Sequence, residues 1–167
     1  MSSKNPVETK FLAACKTGDL EVVNVLLDRG VDVDSRDDDF DGWTGLHEAA
    51  SRGHLAVLDV LIENGADLNP RAKLAMSTPV YLAVSHAQEE AALLLMSRGA
   101  DVHLTANRGI TLLQEAAVKG LSKVVEELLR KKVYVNEKDD DGSAALGRRS
   151  LSVSNKVQLF EQIVCLV

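Results

Sequence analysis

Aromatic residues are scarce in this chain: 4 % of 167 residues, with a single tryptophan. A core built without them must come from Leu, Val, Ile and Ala. That suits close helix packing better than a β-sandwich. Cysteine is scarce too. Cys15 and Cys165 lie far apart in apolar helical contexts, which reads as two buried thiols in a reducing compartment rather than a disulfide framework. No apolar run approaches the roughly 18 residues of a membrane span, and the opening MSSKNPVETK holds no apolar h-region of a signal peptide. Basic charge is in deficit, with 19 Lys and Arg against 25 Asp and Glu and a net charge of -6. A phosphate polyanion is therefore a poor main partner. The expectation is an intracellular protein of the cytoplasm or nucleus, without nucleic-acid binding or membrane insertion. Hydrophobic residues reach 46 %, which excludes compositional disorder.

What the chain does contain is self-similarity. The window Thr44 to Asn69 meets Thr9 to Asp34 when slid back by 35 positions, Thr78 to His103 when slid forward by 34, and Thr111 to Asn136 after a further 33. No window needs an internal gap. Each opens on Thr (Thr9, Thr44, Thr78, Thr111), a helix N-cap before an apolar-periodic run. Pro79 follows in the third window, the favoured first helical residue. Small residues come next (Ala14, Ala49, Ala50, Ala83, Ala116, Ala117), and Gly18, Gly53 and Gly120 end the short helix, with Ala87 in the third window. A second helix follows. Its expected core face is Val22, Val25, Leu26; Val57, Val60, Leu61; Ala91, Leu94, Leu95; and Val124, Leu128. Gly30, Gly65 and Gly99 stand where a left-handed C′ residue belongs, with Lys132 at the fourth. Each unit is helix, turn, helix and protruding loop, and buries its apolar face only against neighbours.

This pattern resembles the ankyrin repeat, whose T-P-L-H-x-A core is matched by Thr44-Gly45-Leu46-His47-Glu48-Ala49 and by Thr78-Pro79-Val80-Tyr81-Leu82-Ala83. The resemblance implies an all-α solenoid of about five stacked helix-turn-helix units with short β-hairpin-like finger loops. The expected division is a frayed 1–7, an N-capping repeat 8–36, repeats 37–70, 71–104 and 105–137, and a divergent C-capping repeat 138–167. In the last unit Arg148 and Arg149 replace the paired alanines, and a final helix is expected from about Asn155 to Cys165.

Several motifs tempt another reading. Asp37, Asp39, Asp41, Gly42 and Glu48 match an EF-hand loop, D-x-D-x-D-G-x5-E. The preceding residues are a helix terminus and an extended stretch, and Glu48 falls on a helix, so a solvated acidic finger tip is expected instead. His47 is expected to hydrogen-bond loop backbone, as in the family. No nucleophile has a neighbouring base, no cysteine pair has metal spacing and no phosphate-cradling loop occurs. Neither enzymatic activity nor a cofactor is expected. Arg148-Arg149-Ser150-Leu151-Ser152 has the form of a kinase site.

The family's partners usually meet the finger loops and the outer side of the first helices. Carried over by register, the contact set is Phe40, Asp41 and Trp43; Leu74, Met76 and Ser77; Asn107, Arg108 and Ile110; Asp140 and Ser143; and, on the helices, Ser51, Arg52, Ser85, His86, Val118 and Lys119. An apolar stripe from Phe40 and Trp43 towards Met76 and Ile110 would sit between acidic tips at 37–41 and 139–141. Trp43 either faces a partner or folds down and packs on its neighbouring finger. The function implied is protein–protein recognition as adaptor, scaffold or inhibitor by a chain that is monomeric on its own. Its alternative is the substrate-recruiting segment of a larger assembly such as a ubiquitin ligase, channel or enzyme.

Overall fold

The computed structural model describes residues 5–37, 41–134 and 138–142. Among these, eight α-helices run in four antiparallel pairs: α1 (Pro6–Thr17) with α2 (Leu20–Asp28), α3 (Gly45–Arg52) with α4 (Leu55–Glu63), α5 (Pro79–Ser85) with α6 (Glu89–Ser97), and α7 (Leu112–Lys119) with α8 (Ser122–Arg130). The first helices stack on one another in the order α1, α3, α5, α7, and the second helices in the order α2, α4, α6, α8. Two-residue strands β1 (Arg36–Asp37) and β2 (Trp43–Thr44) form an antiparallel hairpin between the first two pairs.

The threonines start the inner helices for the reason the sequence suggests. Thr44, Thr78 and Thr111 are extended N-caps. Thr111 Oγ1 accepts the Gln114 amide at 3.1 Å, and the Thr111 amide donates to Gln114 Oε1 at 2.7 Å, a reciprocal capping box. Thr9 departs from the pattern. Helix α1 begins a turn earlier, capped by the Asn5 side chain with Pro6 at its first position, and Thr9 sits inside it. Pro6 supplies a preset φ at the first position and Asn5 is a stronger cap than Thr.

The core is one continuous aliphatic layer along the stack. Leu26, Val57, Leu61, Ala91, Leu95, Val124 and Leu128 are buried as expected. Val25 is 42 % exposed, and Val22, Val60 and Leu94 are half-buried; Val23, Leu58, Ala92 and Val125 lie in the core instead. Each second helix packs both on its own first helix and on flanking second helices, so its buried arc turns by one residue. Cys15 is fully buried, with its thiol pushed up to about 12, chiefly by desolvation. Such a thiol stays protonated and inert at neutral pH.

Close packing accounts for one glycine in particular. Gly53 ends α3 with φ +74°, and a Cβ there would meet the Gln88 side-chain oxygen at 2.4 Å. Gly53→Ala is expected to lower stability by about 1.5 kcal/mol, from left-handed backbone strain and displacement of Gln88. A urea denaturation midpoint checks this. Ala87 at the aligned place adopts φ 57° and Lys132 φ 60°, so both turns close with a side chain present.

Candidate partner-binding surface

Four loops protrude from the stack beside the inner helices, and backbone bonds join each to the next. Within fingers, the Ala72 amide donates to Ser77 O at 3.0 Å and the Ala106 amide to Ile110 O at 2.9 Å. Between fingers, the Lys73 amide donates to Asp41 O at 2.7 Å, the Asn107 amide to Ala75 O at 2.9 Å and the Asp140 amide to Arg108 O at 3.0 Å. Two arginines at one register add a second line of stitches. Arg36 donates to Gly42 O at 3.0 Å and Arg71 O at 3.1 Å; Arg71 donates to Met76 O at 3.3 Å and Thr105 O at 2.5 Å. Two further side-chain bonds link consecutive repeats: the Asp34 carboxylate accepts the Asp67 amide at 3.1 Å and Asn69 Oδ1 accepts the Asp101 amide at 2.7 Å.

His47 ties the inner helices to this rail. The Thr44 amide donates to Nδ1 at 3.1 Å, which makes Nδ1 an acceptor, and Nε2–H donates to Ser77 O at 3.1 Å. The ring is the neutral Nε2–H tautomer, fully buried, with its pKa lowered to about 4, mainly by desolvation. Its expected bond to loop backbone is present, and the loop belongs to the following repeat.

The expected contact residues divide into three groups. The first is held open to solvent. Leu74 is 79 % exposed, Met76 37 % and Val118 37 %. Arg52, His86, Asn107, Arg108 and Lys119 are exposed too, with Ser85 and Ile110 half-buried. Ion pairs within or between repeats occupy several of these: Arg52 with Glu48 at 2.6 Å, Lys119 with Glu115 at 3.7 Å, and Arg108 with Asp141 at 2.8 Å. His86 turns Nδ1 to Leu82 O at 2.9 Å.

The second group builds the surface from beneath. Ser51 and Ser77 are each only 4 % exposed, which corrects their expected exposure. Ser51 Oγ donates to Glu48 O at 3.0 Å, and Ser77 O receives His47. Both belong to the packed seam between helix and finger. Asp139, expected at an acidic tip, is 5 % exposed and accepts the Asp141 amide at 3.0 Å. The Asp41 carboxylate accepts the amides of Leu74 and of Ala75, the latter at 2.9 Å. Trp43 is half-buried and stacks on His47, with ring centroids 6.1 Å apart and planes at 22°.

The third group lies outside the described residues: Phe40, Asp38 and Asp39, Ser143, the Arg148–Ser152 stretch and the 155–165 helix. Of the EF-hand-like set, Glu48 is on α3 and paired with Arg52, and Asp41 is committed to the next finger. No group of three His, Cys, Asp or Glu is placed to hold a metal ion among the described residues. Two features escaped the sequence reading. Tyr134 is 75 % exposed, and the arginine stitches were readable only as the identical residue at 36 and 71.

Stacked helix pairs with hydrogen-bonded fingers in a 33 to 35 residue period define one repeat class, and residues 10–106 match the family model for ankyrin repeats in three copies. The chain belongs to the ankyrin-repeat family. Over 158 residues it is 29 % identical to an ankyrin repeat protein of Fowlpox virus (strain NVSL), covering 94 % of this chain and 46 % of that protein. It thus spans about half the length of that relative. Ankyrin repeats generally serve as protein–protein interaction modules. No helix among the described residues is long and apolar enough to cross a membrane.

Proposed function

We propose that this ankyrin-repeat chain recognises a partner protein along the finger rail and the exposed flank of the inner helices, with Leu74 and Met76 as its central apolar contact. The observation that carries this reading is the 79 % exposure of Leu74 on a tip fixed by the Asp41 carboxylate. A large apolar side chain held in water costs free energy that the fold does not recover, and preset geometry reduces the ordering entropy lost on binding. Met76 strengthens the case, since it takes φ 53°, a left-handed conformation costly for a side chain of its kind. Asn107, Arg108 and Ile110 extend the surface to the next finger; Arg52, Ser85, His86, Val118 and Lys119 line its helix side. Ser51, Ser77, Asp41 and Trp43 set the shape. Phe40 belongs to the proposed surface by its register alone.

Affinity capture with the wild type beside a Leu74→Asp, Met76→Asp double variant tests the proposal. The double variant is expected to lose its partner by about 2 kcal/mol or more, with the melting temperature little moved because Leu74 is already 79 % exposed and Asp tolerates the left-handed φ of 53° that Met76 takes. Undiminished capture would overturn the assignment.

A further inference from the structure

Sulfur occurs three times among the described residues, in Cys15, Met76 and Met96. Cys15 and Met96 are 0 % exposed and lie inside the aliphatic layer. Met76 is 37 % exposed and shares the second finger with Leu74. It is therefore the one sulfur of the described residues that a small solute reaches without unfolding the chain. The backbone around it is already committed. The Ala72 amide donates to Ser77 O, the Lys73 amide to Asp41 O, and the Leu74 and Ala75 amides to the Asp41 carboxylate. Arg71 Nε donates to Met76 O at 3.3 Å. The fold thus holds the main chain of Met76 in place and leaves its thioether within reach of solvent.

Resting on the function proposed above, we infer that Met76 is an oxidation site that switches the finger surface off: a peroxide converts its thioether to the sulfoxide, and the apolar contact with the partner is lost. In the reaction Met76 Sδ attacks one oxygen of hydrogen peroxide and the O–O bond breaks. The proton on the transferred oxygen passes to the departing hydroxide, which leaves as water. Sulfur loses two electrons and peroxide gains them. The sulfoxide oxygen is a strong acceptor. Buried against a partner's apolar side chain it needs a donor, and the four amides of 72–75 are taken. The same oxygen costs little while it faces water, so the oxidised chain keeps its fold. A methionine sulfoxide reductase supplied with a dithiol reverses the step: two thiols become a disulfide and the oxygen leaves as water.

The test starts from peptides selected out of a random phage-displayed library against the unoxidised full chain. Those that lose binding to Leu74→Asp are kept and measured by fluorescence anisotropy. The folded chain is then treated with dilute hydrogen peroxide, and its proteolytic peptides are weighed by mass spectrometry. Met76 is expected to gain one oxygen well before Met96. Peptide affinity should fall about tenfold, the melting temperature should hold, and reductase treatment should restore binding. A Met76→Leu chain, compared with itself before and after peroxide, should show no change in affinity, which separates Met76 from any other oxidised residue. Met76 modified no sooner than Met96 overturns the site. Met76 oxidised while the Leu74-dependent peptides bind as before overturns the switch and leaves the finger surface standing. No Leu74-dependent peptide at all overturns the finger reading, and the switch with it.

Discussion

Lowering the pH from 7 to 4 is expected to strip on the order of 3 kcal/mol from the stability of this chain through His47 alone. The folded imidazole has its pKa lowered from 6.5 to about 4, with desolvation the largest cause. Above pH 6.5 the ring is neutral whether the chain is folded or not, so its contribution is fully present. Between 6.5 and 4 the unfolded chain takes up a proton that the folded chain refuses, and stability falls. Below 4 both states are protonated and the loss from this residue stops. The refusal has a structural cause: a proton on Nδ1 would face the Thr44 N–H, which already donates there. Burial pushes the Asp34 carboxyl up, so Asp34 acts in the opposite sense at the acid end. Urea unfolding at a series of pH values measures the slope. The fourth repeat supplies the control, since Gln114 forms the same box with Thr111 and does not titrate in this range. His47→Gln should therefore flatten the profile between pH 6.5 and 4. A wild-type profile that is already flat there would remove His47 from this role.

Truncation in the middle of the second-helix layer carries the other large effect. Leu95 is fully buried on α6, and α6 packs on both α4 and α8. Leu95→Ala is expected to cost about 3 kcal/mol from lost transfer energy and the cavity left behind. Its position adds a second consequence. In a stack held by nearest-neighbour interfaces, weakening a central unit uncouples both flanks. The urea transition should broaden, with a lower m value. The single Trp43 reports on the second repeat, whereas far-ultraviolet circular dichroism reports on every helix. The two probes should coincide for the wild type and separate for Leu95→Ala. Leu26→Ala in the first pair, which among the described residues has a neighbouring pair on one side only, should shift the midpoint less and leave the probes together.

The stack was legible because its causes are local and repeated. Thr44, Thr78 and Thr111 cap where a capping residue precedes an apolar run, and Gly53 and Gly120 turn left-handed where the sequence punctuates. The misreadings occur where a position is decided by what lies beside it. Thr9 yielded to Asn5 and Pro6 just upstream. Val25 has the same spacing as Val60, but no earlier pair covers it among the described residues. The candidate surface was legible in outline and not in its inner layer. Register placed Leu74 and Met76 on a finger; nothing in periodicity distinguishes them from Ser77, whose carbonyl turns inward to His47. Nor does a single sequence reveal that the Asp41 carboxylate reaches two amides more than thirty residues away. Such bonds depend on side-chain reach across the stack, for which hydrophobic spacing has no term.

The stitched fingers also act as a ruler. Adjacent tips are spaced by one helix-packing distance, about 10 Å, and their mutual hydrogen bonds hold that interval fixed. An extended chain advances about 3.3 Å per residue, so it passes from one tip to the next every three residues. A helix rises about 1.5 Å per residue and needs two turns for the same step. A ligand lying along this edge would carry its anchor residues in a three-beat rhythm if extended and a seven-beat rhythm if helical.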